Sequence, residues 1–430
     1  MSSIVTLCLS AGIQKTITFD SLKPGEVNRS RSYIYDASGK AVNSARVLVQ
    51  LMEADDADRG LEDSLAFECA PDNKASDAFK ACPPESACQT SSDNKASGAY
   101  KAPAAPDDIT LICPLGKKNA DFFLQLAARD GLNPEAVLIP GYTRECCTLL
   151  DEAAGEVTEL VVEEPTPEDE APVSDLLFTL RTALARASAF NRLEDSAPAC
   201  QASSDNKASG TYRELEDSAA SQNAAADRAS GAFKAAGALP RTALLFAGSR
   251  PAFWPQDAIQ QIALAAKKAG ALFMADFRGN DLLSLLPASV RGECSLADKA
   301  TSANKAASAF KACPPALTPD IIKINEAEFR ETFMRGADEL AAAICEKSRE
   351  LGNIIVVTRG ADSTLAADRG TLYECASEKV RAVNTIGCGD SFNAGFLYEY
   401  MTSCNVEMAL KKGTWCAARN AERLSPGTIR

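Results

Sequence analysis

A glycine-rich loop that runs directly into an apolar helix constrains this chain more than any other part of its sequence. The loop reads Val-Asn-Thr-Ile-Gly-Cys-Gly-Asp over residues 383–390, and the apolar residues Phe392 and Phe396 follow it. Glycines let the backbone turn sharply and let a ligand approach it closely. We therefore expect the amides of residues 387–390 at a helix N-terminus, where the helix dipole favours an anion such as phosphate.

The carboxylate of Asp390 stands at the same point of the loop. A lone carboxylate there can accept a proton from a hydroxyl group that attacks phosphorus, while the amides of Gly387, Cys388 and Gly389 stabilise charge on the transferred group. A Gly-x-Gly-Asp before a helix is also common as an ordinary capped turn. The longer string around it is more specific.

Composition narrows the classes of function. The 45 basic and 58 acidic residues give a net charge of −13, which argues against nucleic acid or an anionic membrane surface as a partner. The chain contains no histidine, so histidine-based acid/base catalysis and histidine-containing zinc sites are excluded. The 15 cysteines are scattered, no secretory signal precedes them, and no apolar run reaches membrane-spanning length. These features predict a cytoplasmic protein with reduced thiols.

The glycine loop resembles the second signature of the ribokinase-like, or phosphofructokinase-B, family of sugar kinases, Asp-Thr-x-Gly-Ala-Gly-Asp followed by a helix. Four of its six specified positions match, and Asn384 and Cys388 stand at the other two. The resemblance implies that Asp390 is the catalytic base and that Gly387, Cys388 and Gly389 belong to the anion hole for the γ-phosphate of ATP.

A second motif supports this resemblance. Residues 37–48 form a glycine turn followed by an apolar helix, a pattern that also fits a simple helix start. They resemble the family's sugar-binding motif Gly-Gly-Lys-Gly-x-Asn-x-Ala, in which Gly39, Lys40 and Asn43 match while Ser38 and Ala41 replace glycines. By resemblance, Gly39, Lys40 and Asn43 bind the substrate sugar and, in phosphosugar kinases, its phosphate.

Two further substrate-binding residues follow from the resemblance. The family usually has an Asn-Pro-Ala-x-Asp string after its first strand, and Gln14 takes the place of that aspartate. Glutamine can hydrogen-bond sugar hydroxyls but supplies no charge. Arg144 follows Thr143 as in the Thr-Arg at which phosphosugar kinases hold the substrate phosphate, a task that suits a guanidinium fork.

Three other segments resemble nucleotide and metal sites of the family. Asn325 and Glu328 match its Asn-x-x-Glu motif, which implies an indirect contact of Glu328 with Mg²⁺ through water, although the same pair would serve as a helix N-cap and a first-turn acid. Thr358 and Gly360 stand at a nucleotide-binding turn whose last glycine is Ser363 here. The resemblance also implies that Asn420 binds the nucleotide, beside the adenine.

Recurring polar phrases interrupt the chain. Asp-Asn-Lys-Ala-Ser and its variants recur at 72–76, 93–97 and 205–209, and the residues around them contain few large apolar side chains. Their uneven spacing argues against a solenoid and favours insertions into surface loops. We interpret the chain as one kinase domain over 1–430 with insertions at about 53–108, 188–238 and 294–316, which leaves roughly 300 residues, a normal domain size.

The sequence thus predicts a three-layer α/β/α ribokinase-like fold with a mainly parallel sheet. A small β lid is expected from about 14–36 with part of 140–165. In the core, a strand at 242–249, a helix at 256–269 and a strand at 271–278 form one unit, and Asp276 lies toward the C-terminal end of the second strand, where ligands bind in parallel sheets.

The predicted reaction is ATP- and Mg²⁺-dependent phosphorylation of a sugar phosphate hydroxyl. The segment Leu-Lys-Pro-Gly-Glu-Val-Asn-Arg at 22–29 resembles the branch of 1-phosphofructokinase and tagatose-6-phosphate kinase, so fructose 1-phosphate or tagatose 6-phosphate is the first choice of acceptor. Two alternatives stay open: a kinase for a free sugar or nucleoside, and a non-catalytic or decayed family member. The resemblance also allows a homodimer.

Overall fold

A computed structural model of the chain describes residues 3–67, 108–162, 172–195, 242–287, 290, 317–333 and 339–430. The strands are β1 (Ser3–Leu7), β2 (Gly12–Phe19), β3 (Ser32–Ser38), β4 (Ile109–Gly116), β5 (Glu135–Ile139), β6 (Arg144–Asp151), β7 (Glu156–Leu160), β8 (Thr242–Ala247), β9 (Leu272–Asp276), β10 (Ile321–Asn325), β11 (Ile354–Thr358), β12 (Thr364–Asp368) and β13 (Thr371–Cys375). The helices are α1 (Lys40–Phe67), α2 (Ala120–Arg129), α3 (Val173–Asp195), α4 (Ala258–Lys268), α5 (Gly279–Leu283), α6 (Glu326–Phe333), α7 (Leu340–Leu351), α8 (Cys388–Ser403) and α9 (Val406–Ala421).

Nine of these strands form one twisted central sheet, in the order β13-β12-β11-β10-β9-β8-β1-β4-β5. The seven strands from β11 to β5 are parallel, and β12 and β13 extend the sheet antiparallel to their neighbours. The central strands are apolar almost throughout because helices cover both faces of the sheet.

Two hydrophobic clusters fill the space between the sheet and its helices. Along β8, Leu244 and Phe246 belong to one cluster, with side chains of α3, α4 and α7, while Ala243 and Leu245 belong to the other, with side chains of α1, α2, α8 and α9. Full burial of a leucine or phenylalanine contributes about 1.5–3 kcal/mol, so these two layers supply most of the driving force for folding. The predicted three-layer α/β fold is confirmed.

A second sheet of four strands, in the order β3-β2-β6-β7, lies in the N-terminal part of the chain. Strand β2 pairs antiparallel with β3 and parallel with β6. It begins at Gly12, only a few residues after β1 ends, so the small sheet is connected directly to the C-terminal edge of the central sheet. Its action as a lid stays a prediction.

Several strands and helices of the structure differ from those predicted from the sequence. Strand β5, helix α3 and the pair β12 and β13 were not predicted, whereas the predicted helix at 256–269 is found as α4 with its ends shortened. Helix α1 continues to Phe67 and helix α3 to Asp195, past the points where the composition changes, because alanine, glutamate and arginine are good helix formers. Most of the first two predicted insertions, and all of 294–316, lie outside the described residues.

Within the ranges that the structure describes, no helix combines the length and the apolar character needed to cross a bilayer.

Candidate active site

Helices α1 and α8 begin at the edge of the central sheet where the parallel strands end. The N-cap of α8 is Gly387, which has a φ of +83° in the left-handed region that favours glycine. A Cβ atom at this position would lie 2.9 Å from the backbone nitrogen of Gly427, so the turn also requires the missing side chain. The glycine loop therefore ends in a helix N-terminus, as its sequence predicts.

Asp390 lies in the first turn of α8 and is 8% exposed. The side-chain amide of Asn43 donates a hydrogen bond from Nδ2 to Oδ2 of Asp390 at 2.8 Å, and the Ser44 hydroxyl donates to the Asp390 carbonyl at 2.9 Å. Burial raises the pKa of Asp390 to about 6, against the opposing effects of the Lys40 charge and the Asn43 hydrogen bond. This carboxyl group is thus poised to exchange a proton near neutral pH.

A second buried carboxylate, Asp276 at the end of β9, lies at the centre of a charged cluster. Its oxygens accept hydrogen bonds from Lys40 Nζ at 2.8 Å, Lys323 Nζ at 3.1 Å and Asn393 Nδ2 at 2.6 Å. Burial alone would raise the pKa of Asp276, but the ammonium groups of Lys323 and Lys40 outweigh it and hold this pKa well below the ordinary range. Asp276 therefore stays charged and fixes both lysines.

The ammonium group of Lys323 also lies against the glycine loop. A Cβ atom on Gly389 would stand 2.9 Å from Lys323 Nζ, so a side chain at this position would collide with the lysine. The attraction of Asp276 raises the pKa of Lys40, whose side chain is 38% exposed. The loop amides and the ammonium groups of Lys40 and Lys323 are the donors that this site offers to an anion, although Asp276 already balances part of the lysines' charge.

A cavity of about 440 Å³ extends from the glycine loop between β11 and α9. Its walls include the predicted nucleotide-binding residues Thr358 and Gly360 as well as Cys388 and Gly389 of the loop. The remaining lining residues are mainly small or apolar, with one acidic and one basic residue among them: Ala361, Thr364, Ser377, Glu378, Lys379, Val380, Ala382, Thr385, Phe392, Thr414, Ala417, Ala418 and Ala421. A mostly apolar cleft that ends at an anion-binding loop suits a flat heterocycle joined to phosphates.

Asn420 is fully buried beside this cavity and binds protein groups. Its Nδ2 donates to the Ile386 carbonyl at 2.9 Å, and its Oδ1 accepts from the Ser391 hydroxyl at 3.0 Å and from the Gly427 amide at 2.6 Å. Asn420 thus fastens the glycine loop to α8 and to the C-terminal turn. Its predicted contact with a nucleotide stays a prediction.

Asn325 and Glu328 bind each other's backbone at the start of α6. The Glu328 amide donates to Asn325 Oδ1 at 2.9 Å, and the Asn325 amide donates to Glu328 Oε2 at 3.0 Å. This is the reciprocal geometry of a capping box. The other oxygen, Glu328 Oε1, lies 4.0 Å from Lys40 Nζ and so reaches the charged cluster. In the described part of the chain, no three acidic or cysteine side chains gather as a metal site would require.

The predicted substrate residues lie at the N-terminus of α1 and on the small sheet. Gly39 adopts a φ of +129°, and a Cβ atom there would stand 2.8 Å from the sulfur of Cys8. Gln14 is buried and donates from Nε2 to the Thr148 hydroxyl at 2.8 Å. Arg144 packs against Gly12 and donates from Nη2 to the Ser10 carbonyl at 3.1 Å. Their roles toward a substrate stay predictions.

The sequence reading missed two residues that the structure brings into the site. Lys323 lies in the sequence Ile-Ile-Lys-Ile of β10. A single charged residue in an otherwise apolar strand is the signal that could have identified it. Asn393 lies within the apolar stretch of α8 and shows no comparable signal beyond being polar in a buried helix.

Parts of the chain are similar in sequence to known proteins. Residues 217–429 match the family described as pfkB family carbohydrate kinase. Fructoselysine 6-kinase of Escherichia coli is 35% identical over 68 residues, which are 16% of this chain and 26% of that enzyme. The 1-phosphofructokinase of Bacillus subtilis is 26% identical over 188 residues, which are 43% of this chain and 52% of that enzyme. The matches thus span between a quarter and half of these relatives' lengths.

The whole fold also has a known counterpart. A variant of phosphofructokinase-2 from Escherichia coli superimposes with a TM-score of 0.60 at 14% sequence identity, covering 99% of this chain and 96% of that one. At this identity the likeness concerns the fold. With the match over residues 217–429, it confirms the resemblance to the ribokinase-like family.

Proposed function

Since residues 217–429 match the pfkB family of carbohydrate kinases, we propose that the protein transfers the γ-phosphoryl group of ATP to a hydroxyl group of a sugar or sugar phosphate. The observation that carries this proposal is the buried Asp390 carboxyl group, which stands beside the loop amides at the N-terminus of α8 and has a pKa of about 6. At neutral pH it is mainly ionised and can accept the proton of an attacking hydroxyl.

In the proposed reaction the oxygen of the acceptor hydroxyl forms a bond to the γ-phosphorus as the bond to the β-phosphate oxygen breaks. The hydroxyl proton passes to Asp390, and ADP leaves. The amides of Gly387, Cys388 and Gly389 stabilise the charge that develops on the transferred group. Lys323 lies beside the same loop, where its positive charge acts in the same direction.

We place ATP in the 440 Å³ cavity, with its base near Thr358 and Gly360 and its phosphates toward the glycine loop. Mg²⁺ bound with ATP supplies charge neutralisation on the phosphates. Both oxygens of Asp276 already accept hydrogen bonds, and the ammonium groups of Lys40 and Lys323 neutralise its charge. Glu328, whose Oε1 reaches the site, is the carboxylate suited to a contact with Mg²⁺ through water.

For the acceptor we propose a phosphosugar of the fructose 1-phosphate or tagatose 6-phosphate type. Lys40 at the start of α1 and Arg144 at the start of β6 are the cations that would hold its phosphate, with Gly39, Asn43 and Gln14 near its hydroxyls. The match to 1-phosphofructokinase is longer than the one to fructoselysine 6-kinase, which supports this choice. A cytoplasmic location and a homodimer remain proposals beside it.

A free sugar or a nucleoside is the second candidate. One observation favours it. Lys40 donates a hydrogen bond to Asp276, and Arg144 donates one to the Ser10 carbonyl, so both cations have protein partners that would compete with a substrate phosphate.

ATP consumption with Mg²⁺ and a panel of acceptors tests the proposal: fructose 1-phosphate, tagatose 6-phosphate, fructose 6-phosphate, fructose, ribose and adenosine. We expect turnover with a phosphosugar, and Arg144→Gln should raise its KM about 10- to 100-fold, as the loss of a charged hydrogen bond requires. Arg31→Gln is the matched control, because Arg31 forms an exposed pair with Glu152 elsewhere on the small sheet.

The outcome of this panel distinguishes between the proposed functions. Turnover with fructose, ribose or adenosine and an unchanged KM in Arg144→Gln would replace the phosphosugar by a free acceptor. No turnover with any acceptor from folded protein would overturn the proposed reaction and favour a non-catalytic family member.

A further inference from the structure

The hydrogen bond between Asn43 and Asp390 depends on which end of the Asn43 amide faces the carboxylate. An asparagine side chain presents an oxygen that accepts and a nitrogen that donates, and a half-turn about its last bond exchanges them. With Nδ2 toward Asp390, the amide stabilises the carboxylate. With Oδ1 toward Asp390, two acceptors would face each other in a buried place, at a cost in free energy.

Arg46 determines this orientation. Its Nη1 donates to Asn43 Oδ1 at 3.2 Å, and the two residues lie three positions apart on the same face of α1. A guanidinium has donors and no acceptor, so it can bind the oxygen end of the amide but not the nitrogen end. Arg46 on one side and the Asp390 carboxylate on the other therefore select the same orientation.

Arg46 is itself held rigidly. Its side chain is 4% exposed, and its Nε donates to Asp130 Oδ2 at 2.9 Å. Nη1 also donates to the Pro426 carbonyl at 2.7 Å, and Nη2 donates to the Ala37 carbonyl. Because every nitrogen of the guanidinium has a partner, the group cannot rotate away from Asn43 without losing several hydrogen bonds.

We propose that Arg46 is a positioning residue for phosphoryl transfer: it holds the Asn43 amide so that Nδ2 donates to the Asp390 carboxylate. It acts through Asn43 and does not touch Asp390. The inference rests on the proposed function, in which Asp390 is the base. No part of the sequence pattern that identified Asn43 points to Arg46; the role follows from the chain of hydrogen bonds.

Other charged side chains lie near Asp390 and Arg46, and a test must separate their effect on the pKa of Asp390 from that of the Asn43 amide. Those facing Asp390 from neighbouring elements are Lys40, Asp276 and Lys323, and those facing Arg46 or its partners are Asp130, Asp36 and Arg129. Arg129 donates to both Asp130 and Asp36 but has no hydrogen bond to Asn43. Its removal changes the charge of the same cluster by the same amount and leaves the Asn43 amide in place.

The test compares Arg46→Met with Arg129→Met in the full chain. Carboxyl carbons of ¹³C-labelled aspartates are titrated by NMR, with Asp390→Asn to assign the Asp390 signal. We expect the pKa of Asp390 to rise by about one unit in Arg46→Met and to stay near the wild-type value in Arg129→Met, because only the first variant frees the amide that stabilises the carboxylate. If Arg46→Met does not fold, Arg46→Lys, which keeps the charge beside Asp130, should show a smaller rise.

Where the protein turns over, the acid limb of the kcat profile should move upward by the same amount, with kcat at pH 8.5 changed less than kcat at pH 6. An unchanged Asp390 titration in the folded Arg46 variants, or an equal shift in Arg129→Met, would overturn the positioning role. The titration needs no turnover. Absence of turnover in wild-type protein would therefore count against the proposed function and leave the result for Arg46 readable.

Discussion

Asp390 should weaken the fold that contains it. Its pKa of about 6, against an ordinary value of 3.8, means that the folded state favours the neutral form. This group imposes no cost below pH 3.8, where it is protonated in both states, and stability is lost as pH rises toward 6. Above pH 6 the penalty is constant, and a shift of about two units corresponds to about 3 kcal/mol.

Replacing Asp390 by asparagine removes this penalty and keeps the shape of the side chain. Asparagine cannot ionise, and its Oδ1 can still accept the hydrogen bond from Asn43. We expect Asp390→Asn to increase the free energy of unfolding by about 3 kcal/mol at pH 8 and by roughly half as much at pH 5. A residue that stabilises the protein when it is removed is typical of a site selected for chemistry.

Urea unfolding at pH 5, 6, 7 and 8 measures this difference, with the fluorescence of Trp254 and Trp415 as the signal. Asp121→Asn is the matched control, since Asp121 is exposed on α2 and its loss should change stability by less than about 0.5 kcal/mol. A variant Asp390→Asn that is less stable than wild type, or whose gain does not depend on pH, would refute the reasoning about a buried, raised-pKa carboxyl group.

Three further predictions concern the same site. The kcat of the wild-type enzyme should fall about tenfold between pH 7 and pH 5 as Asp390 is protonated, and a flat pH profile would argue against it as the base. Lys323→Met should lower the free energy of unfolding by about 3 kcal/mol in a urea titration, because Asp276 loses a buried partner; if the loss simply adds to that of Asp276→Asn in the double variant, the two do not interact. Gly387→Ala should weaken ATP binding, as measured by calorimetry, since the φ of +83° and the close neighbours of Gly387 exclude a Cβ atom. Gly25 has a φ of +82° but lies in open space, so Gly25→Ala should bind ATP normally. Equal affinities of the two variants for ATP would contradict the role of the loop.

Local patterns in the sequence predicted those parts of the molecule that depend on short-range order. The glycine loop, the strand that ends at Asp276 and the start of α1 are each encoded within about ten residues, and the structure has them where expected. The sequence gives no clear signal for strand β12, although it is local, because Thr364–Asp368 is a short apolar run with no alternation. The polar composition after about residue 53 predicts a loop there. Helix formation tolerates this composition, and helix α1 continues to Phe67.

The contacts that tie the site together could not be read from the sequence. Asp276, Lys323 and Asn393 are separated by 47 to 117 positions and meet only when the sheet and α8 pack against each other. Which end of the Asn43 amide faces Asp390 depends in turn on Arg46 and on a carbonyl of the C-terminal segment. Such pairings follow from tertiary packing, and no propensity or spacing rule specifies them.

The central claim is that Asp390 accepts the proton of a sugar hydroxyl during transfer of the γ-phosphoryl group of ATP. The most direct measurement follows the transfer of labelled γ-phosphate to the acceptor by wild-type protein and by Asp390→Asn, with ATP affinity measured for both by calorimetry. The account predicts a labelled sugar product with the wild type, a rate lowered about 10²- to 10⁴-fold in the variant, and similar ATP binding. Transfer by Asp390→Asn within a few-fold of the wild-type rate would contradict it.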